Sequence, residues 1–281
     1  MKRETKISAI SVKLLQGLSD KQIREQLKIS KSTYFYWKKR IQEEGTIAVV
    51  QKKRPGPQPK SQINLLLSKK ILNWRDRYGW GPTRIEGHLR VHFSMKVSHR
   101  QIYKLLCETN QNKPIRKPRR TWGKKRWERK YSMSLLQADW TDIRSEPKLT
   151  FIDDHSRFIT GSEIFDEATI KNSIYLLEKI IRKFGKPEQI LTDQGVQFCN
   201  VRGEKLSQFT QFCMDNKIKH IRASKGRPTT IGKVEAYHGC YRAEGWRFSS
   251  YSRWVRYWNY ERPNGAIGYL YPVEVFYRDM R

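Results

Sequence analysis

The chain has 281 residues, enough for one large domain or for two to three small ones, and 37% of them are hydrophobic, which is enough to build packed cores. It carries 57 Lys and Arg against 27 Asp and Glu, so its formal net charge is +30 at pH 7, and nucleic acid is the expected partner of such a basic chain. No stretch approaches the roughly 20 apolar residues of a membrane-spanning helix, and the first residues lack an apolar signal core, so we expect a cytoplasmic protein without a membrane partner.

The first 50 residues have the pattern of a helix-turn-helix domain. Apolar side chains recur at helical spacing from Ile10 to Ile41, and Ser19 and Ser30 stand where two of the helices need N-caps. The connection before Ser30 is short, as the turn between the second and third helices requires. We expect the third helix to enter the major groove of DNA, where it would present Lys31, Ser32, Thr33 and Tyr36. A small helical bundle that binds another protein is the alternative.

Two basic segments flank a second helical region. Residues 51–60 contain three prolines and four basic side chains, which predicts a semi-extended linker. Residues 61–112 repeat the helix-turn-helix pattern, with Pro82 suited to a helix start and Ser98 to the N-cap of a helix beginning near His99. Residues 113–130 are basic at ten of eighteen positions, so we expect a linker that follows DNA phosphates.

The second helical region also contains three histidines that invite a different interpretation. His88 and His92 are spaced four residues apart on a predicted helix, and His99 follows them. Zinc binding is therefore an alternative, but a structural zinc site of this kind needs a cysteine pair, and the four cysteines of the chain are widely scattered.

From about Ser134 the pattern changes to strands that alternate with helices. Three β-rich runs, at 134–143, 148–154 and 157–165, precede an amphipathic helix. A fourth strand at 188–193, another helix, a fifth strand at 218–223 and further helices follow. This order predicts a five-stranded mixed sheet with helices on its faces, so residues 131–281 are expected to form an α/β three-layer domain with C-terminal helices.

Three acidic residues in distinctive surroundings are the candidate catalytic groups. They are Asp139 in QADWTDI, Asp193 in ILTDQGVQF and Glu235 in GKVEAYHG. The aspartates lie in or beside predicted strands and the glutamate lies on a predicted helix, so the three carboxylates can converge. Converging carboxylates repel one another unless divalent cations lie between them, and such oxygen-rich sites suit Mg²⁺ or Mn²⁺. The pattern therefore predicts metal-assisted phosphoryl transfer.

Residues 134–277 resemble the catalytic core that retroviral integrases share with the DDE transposases of insertion sequences, a ribonuclease H-like fold. The resemblance is carried by six stretches in the family's order: QADWTDI, FIDDHSRFITG, ILTDQGVQF, ASKGRP, GKVEAYHG and YWNYERPNGAIGYLYPVEVFY. The tandem helix-turn-helix regions resemble insertion-sequence transposases more than retroviral enzymes, whose zinc-binding histidine and cysteine pairs are missing. Carried over by position, Asp139, Asp193 and Glu235 would be the catalytic residues and the ligands of two Mg²⁺ ions, with Mn²⁺ as a substitute.

Other acidic residues near these three are expected to be structural. Asp142 lies at the end of the first strand, and Asp153 and Asp154 belong to a turn where Arg157 could pair with them. Glu244 is about half a helical turn out of phase with Glu235 and should face away from it. The spacing from Asp193 to Glu235 exceeds that of most family members, and residues 200–206 are the expected surface insertion.

The resemblance implies a transposase that binds the terminal inverted repeats of a mobile element, cuts at their ends and joins them to target DNA. It implies double-stranded DNA as partner, a homo-oligomer on that DNA, no small-molecule substrate, and a prokaryotic protein associated with the nucleoid. Terminal phosphates would be contacted by four basic residues around the glutamate: Lys225, Arg227, Lys233 and Arg242. The alternatives are a non-catalytic DNA-binding regulator derived from a transposase, and a nuclease for RNA/DNA hybrids, which explains the tandem DNA readers poorly.

Overall fold

The computed structural model describes residues 3–44, 63–113, 128–143, 145–199, 206–223 and 231–280. The expected linker at 51–60, most of the basic segment at 113–130, and residues 200–205 of the expected insertion lie outside these ranges. The chain forms two compact units, Met1–Lys60 and Ser61–Arg281. Among the helices of the described ranges, none combines the length and the apolar character needed to cross a bilayer.

The described residues of the first unit form three helices around a small core. These are α1 (Arg3–Leu15), α2 (Asp20–Leu27) and α3 (Lys31–Glu44). Ser19 caps α2 in a capping box with Gln22, and the Ser30 hydroxyl accepts a hydrogen bond from the Thr33 amide at 3.3 Å, so both predicted caps are confirmed. The fully buried apolar side chains of this unit are Ile7, Ile10, Ile23 and Tyr34. We call α1–α3 the first helical unit.

The second unit begins with three further helices, α4 (Leu65–Tyr78), α5 (Pro82–Phe93) and α6 (His99–Glu108), which we call the second helical unit. Pro82 is the first residue of α5, and Ser98 caps α6, as predicted. The three histidines of this region have separate partners. His88 is buried against Trp74 and Trp80, His92 Nε2 lies 3.0 Å from the Tyr269 carbonyl oxygen, and His99 Nδ1 lies 3.2 Å from a Glu86 oxygen.

The remainder of the second unit is built on one five-stranded sheet. Its strands are β1 (Leu136–Asp142), β2 (Pro147–Asp153), β3 (Ile159–Ile164), β4 (Gln189–Thr192) and β5 (Lys219–Arg222), in the spatial order β3-β2-β1-β4-β5. The first three strands pair antiparallel, whereas β1 with β4 and β4 with β5 are parallel. The predicted mixed sheet is therefore confirmed.

Helices cover both faces of this sheet. They are α7 (Ile170–Phe184), α8 (Gln208–Asp215), α9 (Gly232–Glu244), α10 (Tyr251–Tyr260) and α11 (Pro272–Arg278). Leu136 and Ala138 of β1 point to the face covered by α7, α8 and α11, where they share a core with Leu177 and Phe209. Side chains alternate along a strand, so Gln137 and Asp139 point to the opposite face, which α9 and α10 cover. The result is the expected three-layer domain.

The second helical unit shares its core with α10. The Trp80 indole N–H donates to the Tyr257 hydroxyl at 2.6 Å, and the Tyr78 ring stacks on the Tyr257 ring at 4.8 Å between centroids. We call the cluster formed by Tyr78, Trp80, Phe248, Trp254 and Tyr257 the aromatic seam. Trp254 and Tyr257 of α10 are therefore packing residues, and they join the sheet domain to the second helical unit.

Candidate active site

Asp139 and Asp193 lie at the same level of two neighbouring parallel strands. In the pairing of β1 with β4, Gln137 stands opposite Leu191. Asp139 is two residues beyond Gln137, and Asp193 is two residues beyond Leu191, directly after the end of β4. Because the side-chain period of a strand is two, both aspartates point to the face that α9 covers. The sheet thus brings together two carboxylates that are far apart in sequence.

The electrostatic environment of Asp193 agrees with its placement beside Asp139. Burial raises the pKa of the Asp193 carboxyl, and the negative charge of Asp139 raises it further. The Gly195 amide, which donates to Asp193 Oδ1 at 3.0 Å, acts in the opposite direction by stabilising the carboxylate. Two partly buried carboxylates that repel one another form a place where a cation would be stabilised.

One face of α9 runs along β1 and carries Glu235. His238 Nδ1 lies 3.4 Å from Asp139 Oδ2, and the Arg242 guanidinium donates to the Thr141 hydroxyl at 3.0 Å. Glu235, His238 and Arg242 are spaced by three and four residues, so they share that face. Glu235 is exposed in the first turn of the helix, one turn before the residue that contacts Asp139.

The structure therefore assembles the site in part. Asp139 and Asp193 interact electrostatically, and the helix turn that carries Glu235 is adjacent. Across the described ranges, no three His, Cys, Asp or Glu side chains lie close enough together to hold a metal ion between them. His238 is a neighbour of Asp139 that the sequence interpretation did not single out, although its helical spacing from Glu235 was the available signal.

The neighbouring acidic residues occupy structural positions. The Asp153 carboxylate accepts hydrogen bonds from the Met133 and Ser156 amides at 2.8 and 2.7 Å. Glu244 is buried in an ion pair with Arg262 at 3.0 Å, so it faces away from the site, as predicted. Asp142 is exposed at the end of β1.

One of these expectations concerned a particular partner. Arg157 was expected to pair with the aspartates of its own turn; its guanidinium forms an ion pair with Glu128 at 3.2 Å and also donates to the His155 carbonyl oxygen of the turn at 3.2 Å. Asp154 accepts from the Gln137 amide and pairs with Lys233. The turn is therefore held by its own residues and also by more distant parts of the chain.

The expected DNA-contacting residues fall into three groups. On α3, Lys31, Ser32, Thr33 and Tyr36 are all exposed. Lys225 and Arg227 lie outside the described residues, and Arg242 is exposed beside β1.

Lys233 occupies a different environment from the exposed Arg242. Its ammonium lies 2.5 Å from Asp154 Oδ1, and only 16% of its side chain is exposed. Burial lowers the pKa of the Lys233 ammonium, and the nearby charge of Arg157 contributes to that lowering. In this structure the ammonium is directed to an internal partner.

Comparison with known families finds three matching regions. The integrase core domain family matches residues 130–228, and two homeodomain-like families match residues 33–106 and 2–50. A curated relative, the uncharacterized 39.2 kDa protein of insertion element IS476 of Xanthomonas euvesicatoria, is 24% identical over 241 residues. That alignment covers 78% of this chain and 66% of the relative, just under two thirds of its length.

Two solved structures are among those similar to this chain. The crystal structure of the catalytic core domain of BIV integrase has a TM-score of 0.40 and 18% identity, and the match covers 52% of this chain and 95% of that one. The cryo-EM structure of a simian T-cell lymphotropic virus intasome in complex with PP2A regulatory subunit B56 gamma has a TM-score of 0.45 and 14% identity, covering 68% and 74%. At these values neither structure informs the chemistry of this chain.

Proposed function

We propose that this chain is a DDE-type transposase, because it matches the integrase core domain family and two homeodomain-like families, a combination typical of the integrase and transposase superfamily. In this proposal it binds the terminal inverted repeats of its mobile element, cleaves DNA at their ends and transfers the ends to target DNA. The observation that carries the proposal is the placement of Asp139 and Asp193 at one level of adjacent parallel strands, where their charges interact beside the helix of Glu235.

The residues at this edge suit a divalent metal. Asp139, Asp193 and Glu235 offer only carboxylate oxygens, the donors that Mg²⁺ prefers and Mn²⁺ accepts, and the repulsion between the two aspartates favours a cation there. These three residues would hold the proposed pair of Mg²⁺ ions. Bound divalent ions would stabilise the charge that develops on the phosphodiester and on the attacking and leaving oxygens.

The protein's own contribution is to hold and orient DNA. The exposed residues of α3 would read the major groove, while Arg242 on the face of Glu235 would contact a phosphate near the site, with Lys225 and Arg227, which precede the helix in sequence. Since joining requires two element ends, we propose a homo-oligomer on DNA, in the nucleoid of a prokaryotic cytoplasm. The net charge of +30 supports strong association with phosphates at low salt.

The test uses labelled duplexes of the element ends with target DNA and Mg²⁺. The parent chain should give nicked and strand-transfer products, and Asp139→Asn should reduce them to background while leaving end binding intact. Asp142→Asn is the matched control, because Asp142 lies on the same strand, is exposed and has no assigned role in the reaction. Equal activity of the two variants would contradict the assignment.

The same assay separates the alternatives. Specific end binding by the parent chain without product, in Mn²⁺ as well as Mg²⁺, would identify a non-catalytic DNA-binding regulator. Preferential cleavage of an RNA/DNA hybrid over duplex DNA would identify a hybrid nuclease.

A further inference from the structure

The helix that carries Glu235 is capped by a side chain from the strand that carries Asp139. Helix α9 begins at Gly232, and its own N-cap residue, Ile231, makes no side-chain hydrogen bond. Instead, Gln137 Oε1 accepts from the Lys233 amide at 3.1 Å and from the Val234 amide at 3.4 Å. These are the second and third residues of the helix, whose amides an N-cap side chain ordinarily satisfies.

The nitrogen of the Gln137 side-chain amide is connected to the Lys233 side chain through Asp154. Gln137 Nε2 donates to Asp154 Oδ1 at 2.8 Å, and the Lys233 ammonium lies 2.5 Å from that oxygen and donates to the Asp154 carbonyl oxygen at 2.9 Å. Asp154 Oδ2 also accepts from the Arg129 amide at 2.9 Å. Gln137 and Asp154 are each only 3% exposed. Strand β1, the turn after β2 and the first turn of α9 are thus tied together by buried polar contacts.

The orientation of the Gln137 amide is determined by these partners. Rotating the amide by half a turn would place its NH₂ group against two helix amides and its oxygen against a carboxylate, leaving buried donors and acceptors unpaired. Gln137 and Asp139 project from the same face of β1 because they are two residues apart. Lys233 and Val234 directly precede Glu235. The network therefore joins β1, two residues before Asp139, to α9, one and two residues before Glu235.

We propose that Gln137 is a positioning residue for the metal-dependent reaction. With Asp154 and Lys233 it sets the register of α9 on β1, and with it the separation of the Asp139 and Glu235 carboxylates. The inference rests on the function proposed above and assigns Lys233 to an internal anchor instead of a DNA phosphate. Mg²⁺ binding depends on the separation of these two carboxylates because the ion demands nearly ideal octahedral geometry.

The first test removes the cap while keeping the length of the side chain. Gln137→Met should raise the half-saturating Mg²⁺ concentration for end cleavage by about 10- to 100-fold, the usual effect of losing a residue that orients metal ligands. End binding should be unchanged. Loss of thermal stability with an unchanged Mg²⁺ dependence per folded molecule would show that Gln137 serves only the fold, and would overturn the proposal.

A second pair of substitutions tests the polarity of the network. Gln137→Glu keeps an acceptor for the helix amides but places a carboxylate against Asp154, so it should raise the Mg²⁺ requirement at least as much as Gln137→Met. Adding Asp154→Asn supplies an amide donor in place of that carboxylate and should restore most of the parent Mg²⁺ dependence. Failure of the double variant to recover, when it folds like the parent, would contradict the network as the cause.

Lys233→Met separates the two roles of the lysine. A phosphate contact predicts that the slope of log affinity against log salt for end binding falls by about one, with the Mg²⁺ dependence unchanged. The internal anchor predicts an unchanged salt slope and a raised Mg²⁺ requirement. The former result would remove Lys233 from the proposed network.

Calorimetric titration with Mn²⁺, in the absence of DNA, distinguishes failure of this inference from failure of the proposed function. Weaker Mn²⁺ binding by Gln137→Met than by the parent supports the inference whether or not the parent cleaves DNA. Cleavage by the parent with equal Mn²⁺ binding by both proteins overturns the inference and leaves the function standing. A parent that neither binds Mn²⁺ nor cleaves overturns both.

Discussion

The two helical units have similar sequence patterns but are stabilised by different cores. The first helical unit buries its apolar residues among themselves, with Ile10, Ile23 and Tyr34 at the centre. The second helical unit places Trp80 and Ile85 in a core that it shares with α9, α10 and the sheet. A three-helix pattern therefore predicts the helices without indicating whether they fold as a separate body.

This difference affects how each helical unit would hold bound DNA. A unit with its own core can remain folded, and able to bind DNA, whatever happens to the sheet domain. A unit that shares its core with α10 holds a constant position relative to the sheet, so any DNA bound to α6 would be kept at a constant distance from Asp139. Substitutions in each unit test this difference.

The largest effect is expected at the aromatic seam. Trp80→Ala removes a side chain that is 1% exposed and should destabilise the Ser61–Arg281 unit by about 3–5 kcal/mol. Hydrogen exchange should rise in α4–α6 and in the sheet together, while α1–α3 stay protected. Trp246→Ala is the control, since Trp246 is 60% exposed. Loss of protection in α4–α6 alone would show that the second helical unit unfolds independently.

The opposite experiment targets the first helical unit. Ile23→Ala should cost about 2–5 kcal/mol, comparable with the whole stability of a unit of this size, because Ile23 is fully buried in a small core. Protection of α1–α3 and specific end binding should be lost, whereas the melting temperature of Ser61–Arg281 should not move. Val12→Ala, at a residue of α1 that is 52% exposed, provides the control. A concerted shift of both units would contradict the comparison.

The two units should also differ in their response to acid. Burial, with a smaller contribution from His92, lowers the pKa of His88 to about 4. The pKa of a histidine in the unfolded chain is about 6.5, so between about pH 6.5 and 4 the unfolded chain binds more protons than the folded chain. His88 therefore lowers the free energy of unfolding as the pH falls from about 6.5 towards 4, by at most about 3 kcal/mol. The first unit contains no histidine and should not respond through this residue type.

Comparison with a variant isolates the contribution of His88. Urea unfolding of the parent and of His88→Phe should give a shallower pH dependence for the variant, while His220, whose burial also lowers its pKa to about 4, titrates in both. Identical slopes for the two proteins would show that His88 is protonated in the folded state.

The smallest effect tests the packing of α5 against the C-terminal segment. A Cβ atom at Gly87 would lie 2.2 Å from Cγ of the Tyr269 ring. Replacing a helical glycine by alanine ordinarily stabilises by roughly 0.5–1 kcal/mol, but here overpacking should reverse the sign and cost about 1–3 kcal/mol. Combining Gly87→Ala with Tyr269→Ala should remove the clash. A more stable single variant, measured by urea unfolding, would show that Tyr269 does not pack there.

Much of the fold was predictable because its signals are local. The caps at Ser19 and Ser98 act on amides three residues away, and Pro82 begins its helix through its own backbone geometry. The strands follow from alternation over a few residues, and the order of elements predicted the mixed sheet. The candidate site was partly predictable for the same reason, since Asp139 and Asp193 are marked by the strands that carry them.

Other features depend on contacts between distant parts of the chain. The charge of Lys233 predicted a contact with DNA phosphates, whereas in the structure its ammonium pairs with Asp154. The approach of His238 to Asp139 likewise depends on how α9 packs on β1. Gln137 looked like an ordinary strand residue two positions before a carboxylate. Only the packing of the helix start against the strand makes its amide a cap.

The sequence by itself determined the secondary structure, the candidate carboxylates and the basic character of the chain, because each depends on neighbouring residues or on composition. The tertiary structure alone decided which helical unit stands by itself and which shares a core with the sheet. It also decided that the Lys233 ammonium lies against Asp154 in this fold. The physical reason is that burial and hydrogen-bond partners are properties of packed surfaces, as in the bond from Trp80 to Tyr257, whose two residues are 177 positions apart.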